Sequence, residues 1–462
     1  MEPIERESIR LVDWSGHTDY GRTDVFAPKT EDEVVSLVRS CRAGRKKLRV
    51  VGLRTSWNAL WHCKDVMMAS DRLAAIKEID VSQRTVTCEA GVPLSVLHPA
   101  LWERGLTLNC APGIDWVTVG GAISTGSHGS GYTSLSASMI GCRVVTAAGE
   151  VLEIGEGDER LDAVRISLGM LGVIASVKLR AVPAFRVRVR RSRIPTSSWK
   201  RFLTEGEMSY ALCFPYTDLS ALVRVDILPD PVEVQKATAA QPQARGESKK
   251  PLANQDLTHP PDTGDPFGPH AARFAVGGLA NVQPSTFPAR NRYLLEAFYP
   301  DSDESGPAHE MLMSYRSDPI AGAEWAVPVK QFDAVLGEFQ DGIARGDLHL
   351  PILWFKKVRG ESAWLSAADE DCVQCGIYHD VIEGTPSHVK ATTIGVERIM
   401  LRHGGRPHLG KLIYMSPSEL KRLYPRWNQF DSLRRQMDPE GMFWTELIES
   451  RFGAGEAATG VT

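Results

Sequence analysis

The sequence predicts an α+β fold. Two observations carry that prediction. Along the first 180 residues, segments with apolar residues at helical spacing alternate with short runs of period two. Hydrophobic residues make up 43% of the 462-residue chain and charged residues 24%, the profile of an ordinary folded protein. At about 150 residues per domain, this length implies roughly three domains or two large ones.

The first helix opens at Thr30-Glu31-Asp32-Glu33, a capping box in which the Thr hydroxyl accepts from the Glu33 N–H and the Glu side chain reaches back. Val34, Leu37, Val38 and Cys41 then fall on one face. The helix should end near Ala43-Gly44, with Arg45, Lys46 and Lys47 where the helix dipole favours cations. Leu48 to Val51 reads as a short strand stopping at Gly52, and Thr85 to Ala90 alternates as another. Pro93 to Arg104 reads as a helix closed by Gly105. From Phe185 to Arg190, apolar and basic residues alternate, giving a strand with one basic face. That face is either solvated or a patch for anionic ligands. Residues 229 to 272 carry few large apolar side chains and read as a mobile insertion, and 453 to 462 as a loose tail.

The formal net charge of −4 argues against a chain that coats nucleic acid or an anionic membrane. No apolar stretch approaches the roughly 18 residues that span a bilayer. The opening MEPIERESIR lacks the apolar core of a signal peptide. Eight scattered cysteines suggest reduced thiols and a cytoplasmic location. Cys372-x-x-Cys375 lacks a second Cys or His pair nearby, so buried strand thiols are favoured over zinc. No metal is expected.

Residues 111 to 131 read APGIDWVTVGGAISTGSHGSG, with six glycines in 21 positions. Such a run cannot form a stable helix or strand interior. It suits close approach of backbone N–H groups to a pyrophosphate or a flavin edge. No G-x-G-x-x-G joins strand to helix, so this is not a Rossmann fingerprint.

Four ordered motifs over about 400 residues resemble one family. Val50 to Trp57 looks like its first pyrophosphate loop and Thr118 to Gly131 like its second. Ser167 to Ile174 looks like the segment closing over the adenosine half. Arg406-Pro407-His408-Leu409-Gly410-Lys411 is similar to the signature RPHWGK, followed by Tyr424-Pro425, Phe430 and Asp438 to Phe443. The chain thereby resembles the FAD-dependent sugar-1,4-lactone and alditol oxidases of the vanillyl-alcohol-oxidase superfamily, which include gulonolactone, arabinonolactone and xylitol-type oxidases. The resemblance implies a two-domain flavoprotein. A PCMH-type FAD-binding domain would take residues 1–182 and a C-terminal segment, 412–462. A substrate domain with a large antiparallel sheet would take 183–411. Carried over by position, Val51, Gly52, Leu53, Arg54, Thr55, Ser56, Pro112, Gly113, Thr118, Gly121, Thr125, Gly126, Ser127, His128 and Ile174 should line FAD.

Two segments depart from the family pattern, the first loop and the Glu-x-Arg strand. Thr55 stands where many members carry a histidine bonded covalently to the flavin, so FAD should be held without a bond. Arg54 replaces a glycine, so either the loop bends differently or the guanidinium pairs with the pyrophosphate. Counting back from Trp364-Leu365-Ser366 puts Trp354 and Lys356 in place of the family's Glu-x-Arg pair. Trp cannot accept hydrogen bonds from a polyol, and Lys lacks the planar fork of Arg. A flatter, more apolar substrate than a sugar lactone or alditol is expected.

Lys411 keeps the family's lysine and is the leading catalytic candidate; Tyr378 and His379 join Lys356 and Trp354 as further candidates. The resemblance also implies that Pro112 falls near the position that in this superfamily governs oxygen access to the flavin. The reading is hydride transfer from a CH–OH carbon to FAD, with oxygen as acceptor and hydrogen peroxide as product. Small molecules are the expected partners, with no nucleic acid and no membrane. The alternatives are CH–NH or N-hydroxy oxidation, a flavin dehydrogenase, and a non-catalytic FAD-binding module.

Overall fold

The computed structural model describes residues 4–12, 19–129, 133–228, 284–312, 320–350, 352–380 and 387–453. The expected insertion at 229–272, Ser130 and Gly131 of the glycine-rich segment, and all of the tail beyond Gly453 lie outside those residues. The described residues form three sheets with helices between them. The first sheet has four strands in the order Arg6–Val12, Asp19–Phe26, Val66–Ala69 and Leu48–Val51. Its first pair is antiparallel and its other two pairings are parallel.

The second sheet is antiparallel, in the order Ile76–Asp80, Thr85–Glu89, Val173–Pro183, Met139–Val145 and Val151–Gly155. Leu106–Leu108 pairs with the far end of its central strand. The helix Glu31–Ala43 lays Val34, Leu37, Val38 and Cys41 against residues of both sheets, together with Met442 and Phe443 from the C-terminal segment. Thr30 caps it as expected, but the Glu33 carboxylate reaches one residue further back, accepting from the Lys29 amide at 2.6 Å. The helix predicted over Pro93 to Arg104 is shorter, Leu94–Trp102, with Pro93 as its N-cap.

The third sheet has eight strands: Ser302–Pro307, Arg186–Pro195, Leu219–Ile227, Tyr210–Cys213, Ile352–Val358, Cys372–Asp380, Ile320–Pro328 and Arg406–Pro407. Every pairing is antiparallel. One face packs Trp325, Phe355 and Ile377 with residues of the helices Phe332–Arg345 and Ser387–Arg402. Strand alternation sends Glu324, Trp354, Lys356 and Tyr378 to the other face.

Two arginines of the basic strand face are paired locally, Arg188 with Asp303 and Arg190 with Asp226, and Arg191 on the other face pairs with Glu304. Cys372 and Cys375 stand three residues apart on one strand, so they point to opposite faces and cannot grip one ion. No group of three or more metal-ligating side chains occurs among the described residues. All eight cysteines are buried and outside disulfides. Burial pushes the Cys88, Cys110, Cys142 and Cys372 thiols up to about 12, and those of Cys41 and Cys213 to about 11. No helix among the described residues is long and apolar enough to cross a membrane.

Candidate active site

Two adjoining cavities form the site. The first, about 970 Å³, runs between the loop after Leu48–Val51, the helix Val119–Thr125 and the turn at Leu168–Ile174. Against the sequence expectation, the glycine-rich segment does hold this short helix, capped by Thr118 and stopped by Gly126. Its walls come together closely: a Cβ on Gly52 would meet the Thr118 hydroxyl at 2.4 Å, so only glycine fits there. The Thr118 hydroxyl accepts from the Gly121 amide at 3.2 Å. The Val119 and Gly120 amides donate to the Val92 and Ala90 carbonyls, so this helix has few donors left for a ligand. The other loop differs. Among the described residues, nothing accepts from the amides of Leu53, Thr55 or Ser56. A row of amides without acceptors suits a diphosphate.

Arg54 sits at φ 57°, the left-handed region that glycine adopts freely. Its backbone therefore makes a glycine-like turn, costing about 1–2 kcal/mol. Arg49 is another buried cation on this wall. It donates to the Leu168 carbonyl and, at 3.4 Å, to the Phe443 carbonyl, and burial draws its pKa down to about 10.

The second cavity, about 890 Å³, shares Thr55, Ser56, Val117, Thr125 and Ser127 with the first. Beyond them it is walled by Trp57, Trp116, Trp354 and Tyr378, with Lys356, Lys411, His128 and Glu324. Glu324 is buried, and its carboxylate meets His128 Nε2 at 3.2 Å, the Tyr378 hydroxyl at 3.4 Å and Lys411 Nζ at 4.0 Å. Burial alone would raise this carboxyl, but the charge and hydrogen bond of His128, then Lys411 and Lys356, hold it well below its ordinary range. Gly376 lies between Glu324 and Trp354 in the sheet; a Cβ there would meet the Tyr378 ring at 2.9 Å. Asn58 fixes the segment carrying Lys411, donating to the Leu409 and Lys411 carbonyls at 2.7 Å each. The Lys411 ammonium sits 3.5 Å above the centre of the Trp57 ring. His408 accepts from the Gly410 amide at 3.0 Å, and burial lowers its pKa to about 3, leaving the ring neutral.

Residues 177–451 match the profile of the D-arabinono-1,4-lactone oxidase family, more than half the chain. The chain belongs to that family. Residues 24–155 match an FAD binding domain, so this family member is an FAD-dependent oxidoreductase with FAD as cofactor. It is 29% identical to the L-gulono-1,4-lactone dehydrogenase of Mycobacterium tuberculosis, covering 95% of this chain and 98% of that one. It is 26% identical to the alditol oxidase of a Streptomyces species, covering 96% and 98%. In fold it is similar to a cholesterol oxidase from B. sterolicum, with TM-score 0.79 over 97% of both chains at 17% identity.

Within this family member, Val51, Gly52, Leu53, Arg54, Thr118, Gly121 and Ile174 line the first cavity. Thr55, Ser56, Thr125 and Ser127 stand on the shared wall, and Pro112, Gly113 and His128 line the second cavity. Gly126 faces a small side recess instead. Trp354, Lys356, Tyr378 and Lys411 meet in the second cavity. His379 does not join them: one residue on from Tyr378, it is fully buried on the opposite face of the strand. Sequence reasoning missed Glu324, Asn58 and Arg49. Glu324 did leave a signal: a lone acid in the apolar run Ile320–Pro328 must find a charged partner if buried.

Proposed function

We propose that the protein oxidises a CH–OH carbon of a small, flat substrate in the second cavity, with FAD held noncovalently in the first. The observation that carries this reading is the wall the two cavities share, on which Thr55 stands. A cofactor lying through both would pass a threonine, which offers no imidazole to bond the flavin ring. Of the two histidines on the second cavity, His128 meets Glu324 through Nε2 and the Gly129 carbonyl through Nδ1, and His408 Nδ1 accepts from the Gly410 amide.

The loop amides at 53, 55 and 56 would hold the diphosphate, with Arg54 and Arg49 nearby as cations. FAD supplies hydride acceptance and, with oxygen, hydrogen peroxide formation. Lys411 keeps a fixed positive charge over Trp57, beside the cavity where negative charge develops during reaction. Glu324, held ionised, is a poor proton acceptor and serves to orient His128, Tyr378 and Lys411. The hydroxyl proton leaves to a base on this wall or to water. Trp354 and Lys356 favour a flat substrate over a free sugar lactone or alditol.

Residues 1–182 and 412–462 are assigned to the FAD-binding domain and 183–411 to the substrate domain. The Leu48 amide donates to the Met442 carbonyl at 3.0 Å, which supports returning the C-terminal segment to the first domain. Pro112 on the cavity wall supports oxygen as acceptor, whereas the relative named a dehydrogenase favours another acceptor as the second reading.

The test is a visible spectrum followed by acid precipitation and oxygen-uptake assays. Noncovalent FAD predicts flavin bands with all the colour in the supernatant. Colour in the pellet would mean another residue makes the bond. Protein that takes up no flavin would refute the oxidase reading.

A further inference from the structure

The loop that walls the first cavity ends in Trp57 and Asn58, and both reach the segment that carries Lys411. That segment leaves the sheet after His408, whose amide donates to the Glu324 carbonyl at 2.8 Å. It meets the sheet again at Leu412, whose amide donates to the Gly322 carbonyl at 3.0 Å. Between those anchors stand Leu409, Gly410 and Lys411, and all three of their carbonyls accept from the loop. The Trp57 amide donates to Gly410 at 2.9 Å, and Asn58 Nδ2 donates to Leu409 and Lys411 at 2.7 Å each. Asn58 Oδ1 accepts from the Leu60 amide at 3.1 Å. One end of the carboxamide thus meets only acceptors and the other a donor, which fixes its orientation. Both of its N–H bonds are spent on holding this segment.

Lys411 is shared between loop and sheet. Its Nζ lies 3.5 Å above the ring centre of Trp57, from the loop, and 4.0 Å from the carboxylate of Glu324, from the sheet. The place of the ammonium therefore depends on how loop and sheet are joined, and Asn58 makes two of the three hydrogen bonds just named from the loop to residues 409–411. We infer that Asn58 is a positioning residue for the reaction, acting through Lys411. It ties the loop beside the first cavity to the ammonium in the second, and so sets how strongly that charge acts on the cofactor ring. This deepens the proposed function and rests on it for the cofactor and for the role of Lys411. The pairing of Lys411 with Glu324 does not weaken it, because displacing a charge changes the local potential whether or not that charge is paired.

The test is the midpoint potential of the FAD-loaded, full-length protein, read by anaerobic dye-coupled reduction. Four proteins are compared: the wild type, Lys411→Met, Asn58→Ser and the double variant. Taking one positive charge from the wall disfavours negative charge beside it. Lys411→Met should shift the equilibrium against the reduced state by about tenfold, which is about 30 mV for two electrons. Serine at 58 keeps a hydroxyl to cap Ala59–Trp61 but lacks the carboxamide. Asn58→Ser should shift the same equilibrium in the same direction by at least about threefold. The double variant should go no further than Lys411→Met alone, as expected of two residues that act as one unit. An unchanged potential in Asn58→Ser, or a shift that adds in full to that of Lys411→Met, would overturn the inference. So would weaker FAD binding with an unchanged potential in the loaded protein, which would leave Asn58 a role in the loop alone. No shift in Lys411→Met would sink this inference together with the role given to Lys411, while flavin bands in the wild type would leave the cofactor reading standing. Should Asn58→Ser fail to fold, Asn58→Thr, likewise a capping residue without a carboxamide, takes its place.

Discussion

Glu324 joins parts of the chain that are far apart in sequence. Its partners come from the glycine-rich segment, from the neighbouring strand and from the segment after Arg406–Pro407. Removing one member of a buried charge set leaves the others uncompensated, which costs about 3–5 kcal/mol. Glu324→Gln keeps the shape and loses the charge, so unfolding at neutral pH should show a loss of that order. The sign of the pH dependence follows from a carboxyl held below its unfolded value. Its contribution is full above 4.5 and disappears as pH falls towards the folded value. The gap between wild type and variant in denaturant melts should therefore narrow in acid; a gap constant with pH would mean that Glu324 is not ionised in the fold. The sequence made Lys411, Tyr378, Trp354 and Lys356 legible because each can be counted from a motif. Glu324 lies 54 residues from Tyr378, outside any motif, and only sheet pairing brings the two together.

Helices and strands were readable where their signals are local. The helix Glu31–Ala43 has its cap, apolar face and Gly44 stop in one continuous stretch. The eight-stranded sheet has no such signature, because its order depends on which strands bury one another's faces across more than 200 residues. The basic strand illustrates the difference: its alternation was visible, but its partners Asp226, Asp303 and Glu304 come from two other strands. The helix Ser387–Arg402 carries a second perturbed carboxyl. Both oxygens of Glu397 accept from the Tyr414 amide at 3.1 Å, yet burial raises its pKa to about 7. A raised carboxyl acts in the opposite sense to Glu324. The folded protein keeps this proton after the unfolded chain has lost it, so stability falls as pH rises from 4.5 to about 7. Glu397→Gln should flatten that part of the Tm–pH profile, and an unchanged slope would show that Glu397 titrates normally.

At the scale of the whole molecule, the cavity proposed for FAD draws its walls from distant parts of the chain. The first cavity takes wall residues from the first two sheets, the glycine-rich segment and Leu409 near the C-terminal signature. A ligand bound there stabilises the fold by mass action, by about 2.7 kcal/mol at a hundred times Kd. Protein stripped of flavin should melt at a lower temperature and recover when FAD is added back; an unchanged Tm would place the cofactor elsewhere. The buried cysteines acquire a meaning at this scale. Peroxide attacks thiolates, and a thiol pushed up to about 12 holds almost none at neutral pH. With oxygen as the proposed acceptor, peroxide formed inside the protein would meet sulfur that it cannot readily use.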